Sequence, residues 1–214
     1  MSDACGANQQ ALSLLDLSPV VPVVVIDDVA TAVPLARALV AGGVPVIEVT
    51  LRSDVALEAI RAIAAEVPEI RLGAGTVCTA EQVKLSIEGG AQFLVSPGAT
   101  DRLLDALQDS GRPFLAGTAT PSDMLRLLER GITEAKFFPA TAVGGAPLLR
   151  ALHGPLPQLR FCPTGGITLN TAREFLALPN VGCVGGTWLT PKDAVAAGDW
   201  ARVSRLAAAT SGLR

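Results

Sequence analysis

Short apolar runs alternate with amphipathic stretches along nearly the whole chain. Each apolar run ends in a polar or glycine-rich loop, and a segment with helical spacing of its apolar residues follows. Continuous apolar runs of this kind are typical of parallel strands that are covered on both faces. The pattern predicts eight strands, at residues 20–26, 44–50, 70–75, 91–96, 113–117, 134–138, 160–163 and 181–185.

The segments between the strands predict helices, the clearest at residues 32–41, 55–67, 80–87, 101–108 and 122–130. Thr120 and Thr190 each precede a proline, where a threonine hydroxyl can cap a helix whose first residue is that proline. Asp123 falls in the first turn after Thr120, near the positive end of the helix dipole.

Repeated strand–helix units with right-handed crossovers form either a closed barrel or an open doubly wound sheet. Eight similar units favour closure, so we predict an α/β fold with a single (β/α)8 TIM barrel. No linker or change of composition divides the chain, and we expect one domain over residues 1–214. The barrel proper would span about 20–214, with a short extra helix at 9–17.

The composition adds an aliphatic core and a weakly charged surface. Hydrophobic residues make up 50% of the 214 residues, aromatics 4%, and the net charge is −3. The surface therefore lacks the basic excess of a nucleic-acid-binding protein. No apolar run is long enough to cross a bilayer, and residues 1–10 lack the features of a signal peptide. We expect no nucleic-acid or membrane partner and a cytoplasmic location.

Cysteine and histidine offer little chemistry here. The four cysteines contain no C-x-x-C pair, and they are interpreted as small apolar residues rather than disulfides or metal ligands: Cys5, Cys78, Cys162 and Cys183. His153 is the only histidine, and the glycine and proline after it indicate the end of a helix. Histidine-rich zinc sites and His-dependent triads are disfavoured, and we expect no metal.

Lys136 is the most informative residue. Of the three lysines, Lys84 and Lys192 fall in helical segments, whereas Lys136 lies within a predicted strand. Strand alternation places Lys136 and Phe138 on one face and Phe137 on the other. Burial among phenylalanines favours the neutral, nucleophilic amine. The alternatives are a structural ion pair or an amine that reaches out to solvent.

Glu48 is the second candidate. Val46, Glu48, Thr50 and Arg52 share one strand face, which would rise along the barrel interior toward the C-terminal mouth, where the active sites of such barrels lie. The strands of Glu48 and Lys136 lie roughly opposite, so the two side chains could meet and exchange protons. The alternative is a buried structural ion pair.

Two glycine-rich turns follow the last two strands, at residues 163–167 and 185–187. Backbone N–H groups in such turns often bind phosphate in barrel enzymes. Thr187 adds a hydroxyl to the second turn. The chain has neither a Walker motif nor a complete G-x-G-x-x-G, so nucleotide binding is not indicated.

At these residues the chain resembles the 2-keto-3-deoxy-6-phosphogluconate (KDPG) aldolase family, which also includes 4-hydroxy-2-oxoglutarate (KHG) aldolase activity. The similarity runs from about Val20 to the C-terminal helix. The segments that carry it are 48–52, 73–77, 96–98, 136–140, 163–167 and 185–189. Thr187 departs from the family, where serine is common, and the acidic pair Asp27 and Asp28 stands where some relatives are basic.

The resemblance implies roles for individual residues. Lys136 matches the Schiff-base lysine, and Glu48 matches the general acid/base. Residues that match substrate contacts are Arg52 and Thr76 at the keto-acid end, Pro97 and Phe138 in the pocket wall, and Thr164 as a hydroxyl contact. The phosphate site would comprise Gly165, Gly166, Gly186 and Thr187.

The resemblance also implies a homotrimeric class I aldolase of carbohydrate metabolism, in the Entner–Doudoroff route. It would bind 2-keto acid and aldehyde substrates and use the imine at Lys136 with no cofactor or metal. Two other functions stay open on the same barrel. One is a phosphosugar isomerase or epimerase, against which the single histidine and the strand lysine argue. The other is a barrel that only binds keto acid or phosphate. A metal-dependent aldolase, which chelators would inhibit, is not expected.

Overall fold

Eight parallel strands form where the sequence has its apolar runs. The computed structural model describes residues 13–213. Most strand residues are buried, because helices cover one face of the sheet and the barrel interior covers the other. The strands are β1 (Val20–Val24), β2 (Val46–Thr50), β3 (Arg71–Gly75), β4 (Phe93–Val95), β5 (Phe114–Thr118), β6 (Glu134–Phe137), β7 (Arg160–Pro163) and β8 (Val184–Gly186).

The sheet closes into a barrel. Strands pair in chain order from β1 to β7, and β8 pairs with β1. The gap between β7 and β8 is bridged at two points, Phe161 with Val181 and Thr164 with Gly185. The predicted (β/α)8 TIM barrel is therefore confirmed, and the open doubly wound sheet is wrong.

In the described part of the chain, no helix is both long and apolar enough to cross a membrane. Helices connect the strands around the outside of the barrel. They are α1 (Ala32–Ala41), α2 (Ala56–Glu66), α3 (Ala80–Glu88), α4 (Asp101–Asp109), α5 (Pro121–Glu129), α6 (Gly145–His153), α7 (Leu169–Leu176), α8 (Lys192–Ala196) and α9 (Trp200–Ala208). Short 3-10 turns add Leu14–Asp16, Val29–Thr31 and Ser211–Leu213.

The helix cap predicted at Thr120 is confirmed. The Thr120 hydroxyl accepts from the N–H of Asp123, and the Asp123 carboxylate accepts from the N–H groups of Ala119 and Thr120. Burial would raise the pKa of Asp123, but these hydrogen bonds and the charge of Arg126 outweigh it. The pKa therefore lies below its usual value.

The cap predicted at Thr190 was wrong. Helix α8 begins at Lys192, its cap residue is Pro191, and no side chain caps it. Thr190 is instead buried, and its N–H donates to the carbonyl of Thr187 in the turn after β8.

The helix predicted at residues 9–17 lies partly outside the described residues, and its described part is only the 3-10 turn Leu14–Asp16. This turn packs against the N-terminal ends of β6 and β7. The Arg160 guanidinium donates to the Asp16 carboxylate at 2.6 and 3.2 Å, and the Ser13 hydroxyl donates to Glu134. The chain segment before β1 is thus fixed at the end of the barrel opposite the C-terminal mouth.

Candidate active site

Lys136 and Glu48 meet inside the barrel. The lysine comes from β6 and the glutamate from β2, and Nζ lies 3.3 Å from Oε1. Their side chains are only 3% and 4% exposed. Their meeting across the barrel, predicted from strand alternation, is confirmed. Desolvating two charges is costly, so the pair gives weak evidence for a stabilising role. It is well suited to exchanging a proton between an amine and a carboxylate.

Phenylalanine forms the apolar side of this site. The Phe138 ring centroid lies 5.3 Å from Nζ of Lys136. Phe137 instead contacts Phe161 edge-on, with 6.2 Å between ring centroids. Phe138 thus accompanies the lysine while Phe137 packs against its neighbour on β7, as strand alternation requires.

Glycines on the neighbouring strands make room for these side chains. A Cβ on Gly75 would lie 2.1 Å from Oε1 of Glu48, and one on Gly185 would lie 2.2 Å from Oγ1 of Thr164. A Cβ on Gly117, which pairs with Lys136 in the sheet, would lie 2.2 Å from the carbonyl carbon of Pro97. The absence of a Cβ at these three glycines therefore makes the room that the side chains of Glu48 and Thr164 and the backbone of Pro97 occupy.

Arg52 and Thr76 come together at the mouth of the barrel. The Arg52 Nε donates to Oγ1 of Thr76 at 3.1 Å. Thr76 has a φ of 58°, an unusual conformation for a non-glycine residue, in the turn directly after β3. The hydroxyl of Thr50 donates to the carbonyl of Val24 at 2.8 Å and links β2 to β1 below Arg52. A guanidinium beside a hydroxyl at this position can bind a carboxylate.

A small cleft lies between Arg52 and the glycine-rich turns. Gly165 and Gly166 have φ values of 105° and 75°, which explains why this turn requires glycine. Exposed backbone N–H groups, a hydroxyl and an arginine are suited to an anionic group. The cleft is lined by Val23, Arg52, Phe138, Thr164, Gly165, Gly166, Ile167, Gly185 and Thr187.

Five of the predicted site residues do not line this cleft: Lys136, Glu48, Thr76, Pro97 and Gly186. Pro97 is not on the cleft lining; its backbone packs over Gly117 beside the site. Gly186 is buried, and the Trp188 ring occupies the space where its Cβ would be. On the lining, the β8 turn presents Gly185 and Thr187 instead.

Sequence reasoning missed Val23 as a lining residue, whereas Gly185 and Ile167 fall within the two glycine-rich turns it indicated but had no individual role. Val23 could have been found, because it pairs with Glu48 in the sheet register and β1 neighbours β2. The inward position of Gly185 follows from its bridge to Thr164 across the closing seam, which no local pattern reveals.

The described cysteines and His153 do not line the cleft, although Cys162 Sγ lies 3.8 Å from Oγ1 of Thr164 and Cys78 Sγ donates to the carbonyl of Thr76. Cys162 and Cys183 are buried and Cys78 is exposed, while Cys5 lies outside the described residues. His153 is the last residue of α6, as predicted. Between residues 13 and 213, no group of three or more His, Cys, Asp or Glu side chains could hold a metal ion.

Comparison with protein families gives one match over most of the chain. Residues 12–206 match the family model described as "Aldolase: KDPG and KHG aldolase". The chain is 52% identical over 189 residues to a 2-dehydro-3-deoxy-phosphogluconate aldolase of Pseudoalteromonas atlantica, covering 88% of each protein. It is 51% identical over 197 residues to a KHG/KDPG aldolase of Escherichia coli, covering 92% of each.

A solved structure of a KDPG aldolase is similar to this chain over nearly its whole length. A KDPG aldolase from Legionella pneumophila superimposes with a TM-score of 0.91 at 45% identity, over 92% of this chain and 96% of that one. That structure holds pyruvate captured at low pH as a covalent carbinolamine intermediate.

Proposed function

The chain belongs to the KDPG and KHG aldolase family, and on that premise we propose that Lys136 forms the Schiff base with its 2-keto acid substrate. The enzyme is a lyase that cleaves KDPG reversibly to pyruvate and glyceraldehyde 3-phosphate by class I chemistry. Cleavage of KHG to pyruvate and glyoxylate at the same site is part of the proposal, supported by the dual-activity relative. The buried contact between Lys136 and Glu48, at 3.3 Å, carries the residue assignment.

The first half of the mechanism uses the Lys136–Glu48 contact directly. The carboxylate takes a proton from the lysine, and the neutral amine attacks C2 of the 2-keto acid to give a carbinolamine. Glu48 then returns a proton to the C2 hydroxyl, which leaves as water. The product is a cationic imine between C2 and Nζ, which can accept electrons from the adjacent carbon chain.

Cleavage uses the same carboxylate as a base. Glu48, through a water molecule, removes the proton of the C4 hydroxyl, and the C3–C4 bond breaks as the aldehyde forms. The bonding pair moves into the imine and leaves an enamine on Lys136. Protonation at C3 and addition of water at C2 then release pyruvate and restore the free amine. This hydrolysis consumes one water molecule, which balances the one released when the imine formed.

The mouth of the barrel orients the substrate. Arg52 and Thr76, joined by their 3.1 Å hydrogen bond, are placed to bind the keto-acid carboxylate by charge-assisted hydrogen bonds. Phe138 and Pro97 would bound the carbon chain, and the Thr164 hydroxyl would contact a substrate oxygen. At the far end, the glycine-rich turns would bind the phosphate of KDPG through Gly165, Gly166, Gly185 and Thr187.

Assembly and location belong to the same proposal. Family membership supports a homotrimer, which multi-angle light scattering would test directly. A phosphorylated substrate does not cross membranes unaided, and this favours a cytoplasmic enzyme.

Borohydride trapping tests the assignment of Lys136. Incubation with pyruvate and borohydride should reduce the imine and add the mass of a reduced pyruvate adduct to Lys136, located by peptide mass spectrometry. Exposed Lys84 is the internal control in the same digest. Active enzyme that carries no adduct at Lys136 would contradict the proposal.

Substitution provides the matching kinetic test. Lys136→Met should abolish cleavage of both substrates, whereas Lys84→Met should keep wild-type turnover. Circular dichroism checks that both variants are folded. A folded Lys136→Met variant with substantial aldolase activity would exclude the Schiff base at this position.

A further inference from the structure

We propose that Thr141 is a positioning residue that holds the Gly165–Gly166 turn in the conformation that binds the anionic end of the substrate. Thr141 lies in the loop between β6 and α6 and was not among the residues expected to bind substrate. The inference rests on the proposed function and deepens it, because it names what sets the preference for a phosphorylated aldehyde half.

Two groups of Thr141 bind one carbonyl. Its backbone N–H and its hydroxyl both donate to the carbonyl oxygen of Gly165, each at 3.1 Å. The preceding N–H, of Ala140, donates to the carbonyl of Thr164 at 2.8 Å. These bonds continue the pairing of β6 with β7 beyond the strand ends, up to the glycine turn.

The direction of the Gly165 carbonyl also fixes the next N–H. In a planar trans peptide the carbonyl and the following N–H point in opposite directions. Because Thr141 holds the Gly165 carbonyl on its own side, the Gly166 N–H points away from Thr141. Between residues 13 and 213 that N–H donates to no other group, so it is available to a ligand in the cleft that Gly165 and Gly166 line.

The turn needs such a restraint because both its residues are glycine. Gly165 and Gly166 have positive φ values, and glycine changes between backbone conformations at little steric cost. Thr141 also restricts the turn by contact, since a Cβ on Gly166 would lie 2.0 Å from its Oγ1. Without the hydroxyl, the peptide between the two glycines would keep a single restraining bond and could rotate its N–H out of the cleft.

The consequence is selective for one end of the substrate. The turn lies at the phosphate end of the proposed substrate, whereas the amine of Lys136 and the carboxylate site at Arg52 make no bond with Thr141. Loss of the Thr141 hydroxyl should therefore weaken binding of phosphorylated substrate and leave attack on the keto group unchanged.

Steady-state kinetics of Thr141→Val, Thr141→Ser and wild type on KDPG and KHG test this. One lost hydrogen bond predicts a KM for KDPG about three- to tenfold higher in Thr141→Val, with kcat little changed. The KM for KHG, which has no phosphate, should stay within about twofold. Thr141→Ser restores the hydroxyl and should restore the KM for KDPG. Thr133→Val, an exposed threonine at the other end of the barrel, is the matched control.

Binding of inorganic phosphate by calorimetry separates this proposal from the assigned reaction. If wild type fails to turn over either substrate, the proposed function fails, but weaker phosphate binding by Thr141→Val still supports the role of Thr141. An unchanged KM for KDPG together with unchanged phosphate affinity overturns it. An equal loss on both substrates also overturns it, because Thr141 would then act on the whole barrel mouth.

Discussion

Gly75 lies directly behind the Glu48 carboxylate, so close that a Cβ at position 75 would be 2.1 Å from Oε1. The same oxygen contacts Nζ of Lys136. Gly75→Ala would push the carboxylate away from the lysine, and we expect kcat to fall at least about tenfold because a small misplacement of catalytic groups is costly. Overpacking should lower the free energy of unfolding by about 1–3 kcal/mol.

Kinetics and urea unfolding of the purified variant measure both effects. Gly154→Ala is the control, since a Cβ there meets no atom within 4 Å. Full activity of Gly75→Ala would show that the carboxylate position is not critical.

Glu48→Gln should separate proton transfer from folding. Gln is nearly isosteric but cannot accept the lysine proton, so kcat should fall by about 10²–10⁴-fold while the fold is retained. The rate of borohydride trapping with pyruvate should fall too, because imine formation uses the same carboxylate. Glu58→Gln, on the exposed face of α2, should behave as wild type. If Glu48→Gln kept wild-type kcat, the carboxylate would have only a structural role.

Arg52→Ala should weaken binding of every substrate to a similar extent. All substrates carry the same carboxylate, and a hydrogen bond to a charged group contributes about 1.5–3 kcal/mol, so KM should rise about ten- to a hundredfold. This pattern contrasts with the one expected for Thr141, which should distinguish KDPG from KHG. Parallel measurements on both substrates decide between a carboxylate role and a phosphate role for Arg52. A rise confined to KDPG would assign Arg52 to the phosphate.

The capping box of α5 should make stability depend on pH. The pKa of Asp123 is lowered by hydrogen bonds from Ala119 and Thr120 that outweigh the opposite effect of burial. Its stabilisation is therefore complete above the unfolded-state value of about 3.9 and is lost as the pH falls through the lower folded-state pKa.

Asp123→Ala should thus cost about 1 kcal/mol at neutral pH, and the difference from wild type should shrink below about pH 4. Urea unfolding at several pH values measures this. Asp109→Ala, an exposed position at the end of α4, should stay within about 0.5 kcal/mol of wild type. A pH-independent effect of Asp123→Ala would mean that the carboxylate charge does not stabilise the helix.

The barrel fold and the inward positions of Glu48 and Lys136 could be predicted because both follow from local periodicity. Apolar runs located every strand, and helix α1 was predicted with the bounds that the structure has. The alternation of side chains along β2 and β6 is enough to place Glu48 and Lys136 inside the barrel. These inferences needed only neighbouring residues on one strand.

The rest depends on contacts between distant segments. The bond from Thr141 to Gly165 joins loops 24 residues apart, and the choice between Gly185 and Gly186 depends on how β8 closes against Thr164. The steric role of Gly75 is an intermediate case. Strand alternation puts Gly73 and Gly75 on the same face, but only the positions of the Phe93 and Glu48 side chains, which a Cβ at 73 and at 75 would meet, show why both must be small.

The proposed nucleophile Lys136 and its proposed acid/base partner Glu48 come from the middle of strands, whereas Arg52, Thr76 and the Gly165–Gly166 turn belong to the segments that follow strands. Barrel strands tolerate change poorly, while the loops above them vary readily. Mutation around the Gly165–Gly166 turn can therefore diversify which aldehyde the enzyme accepts without endangering the bond-breaking step. A laboratory search for new substrates should concentrate its substitutions there and keep Arg52 and Thr76, which serve every substrate.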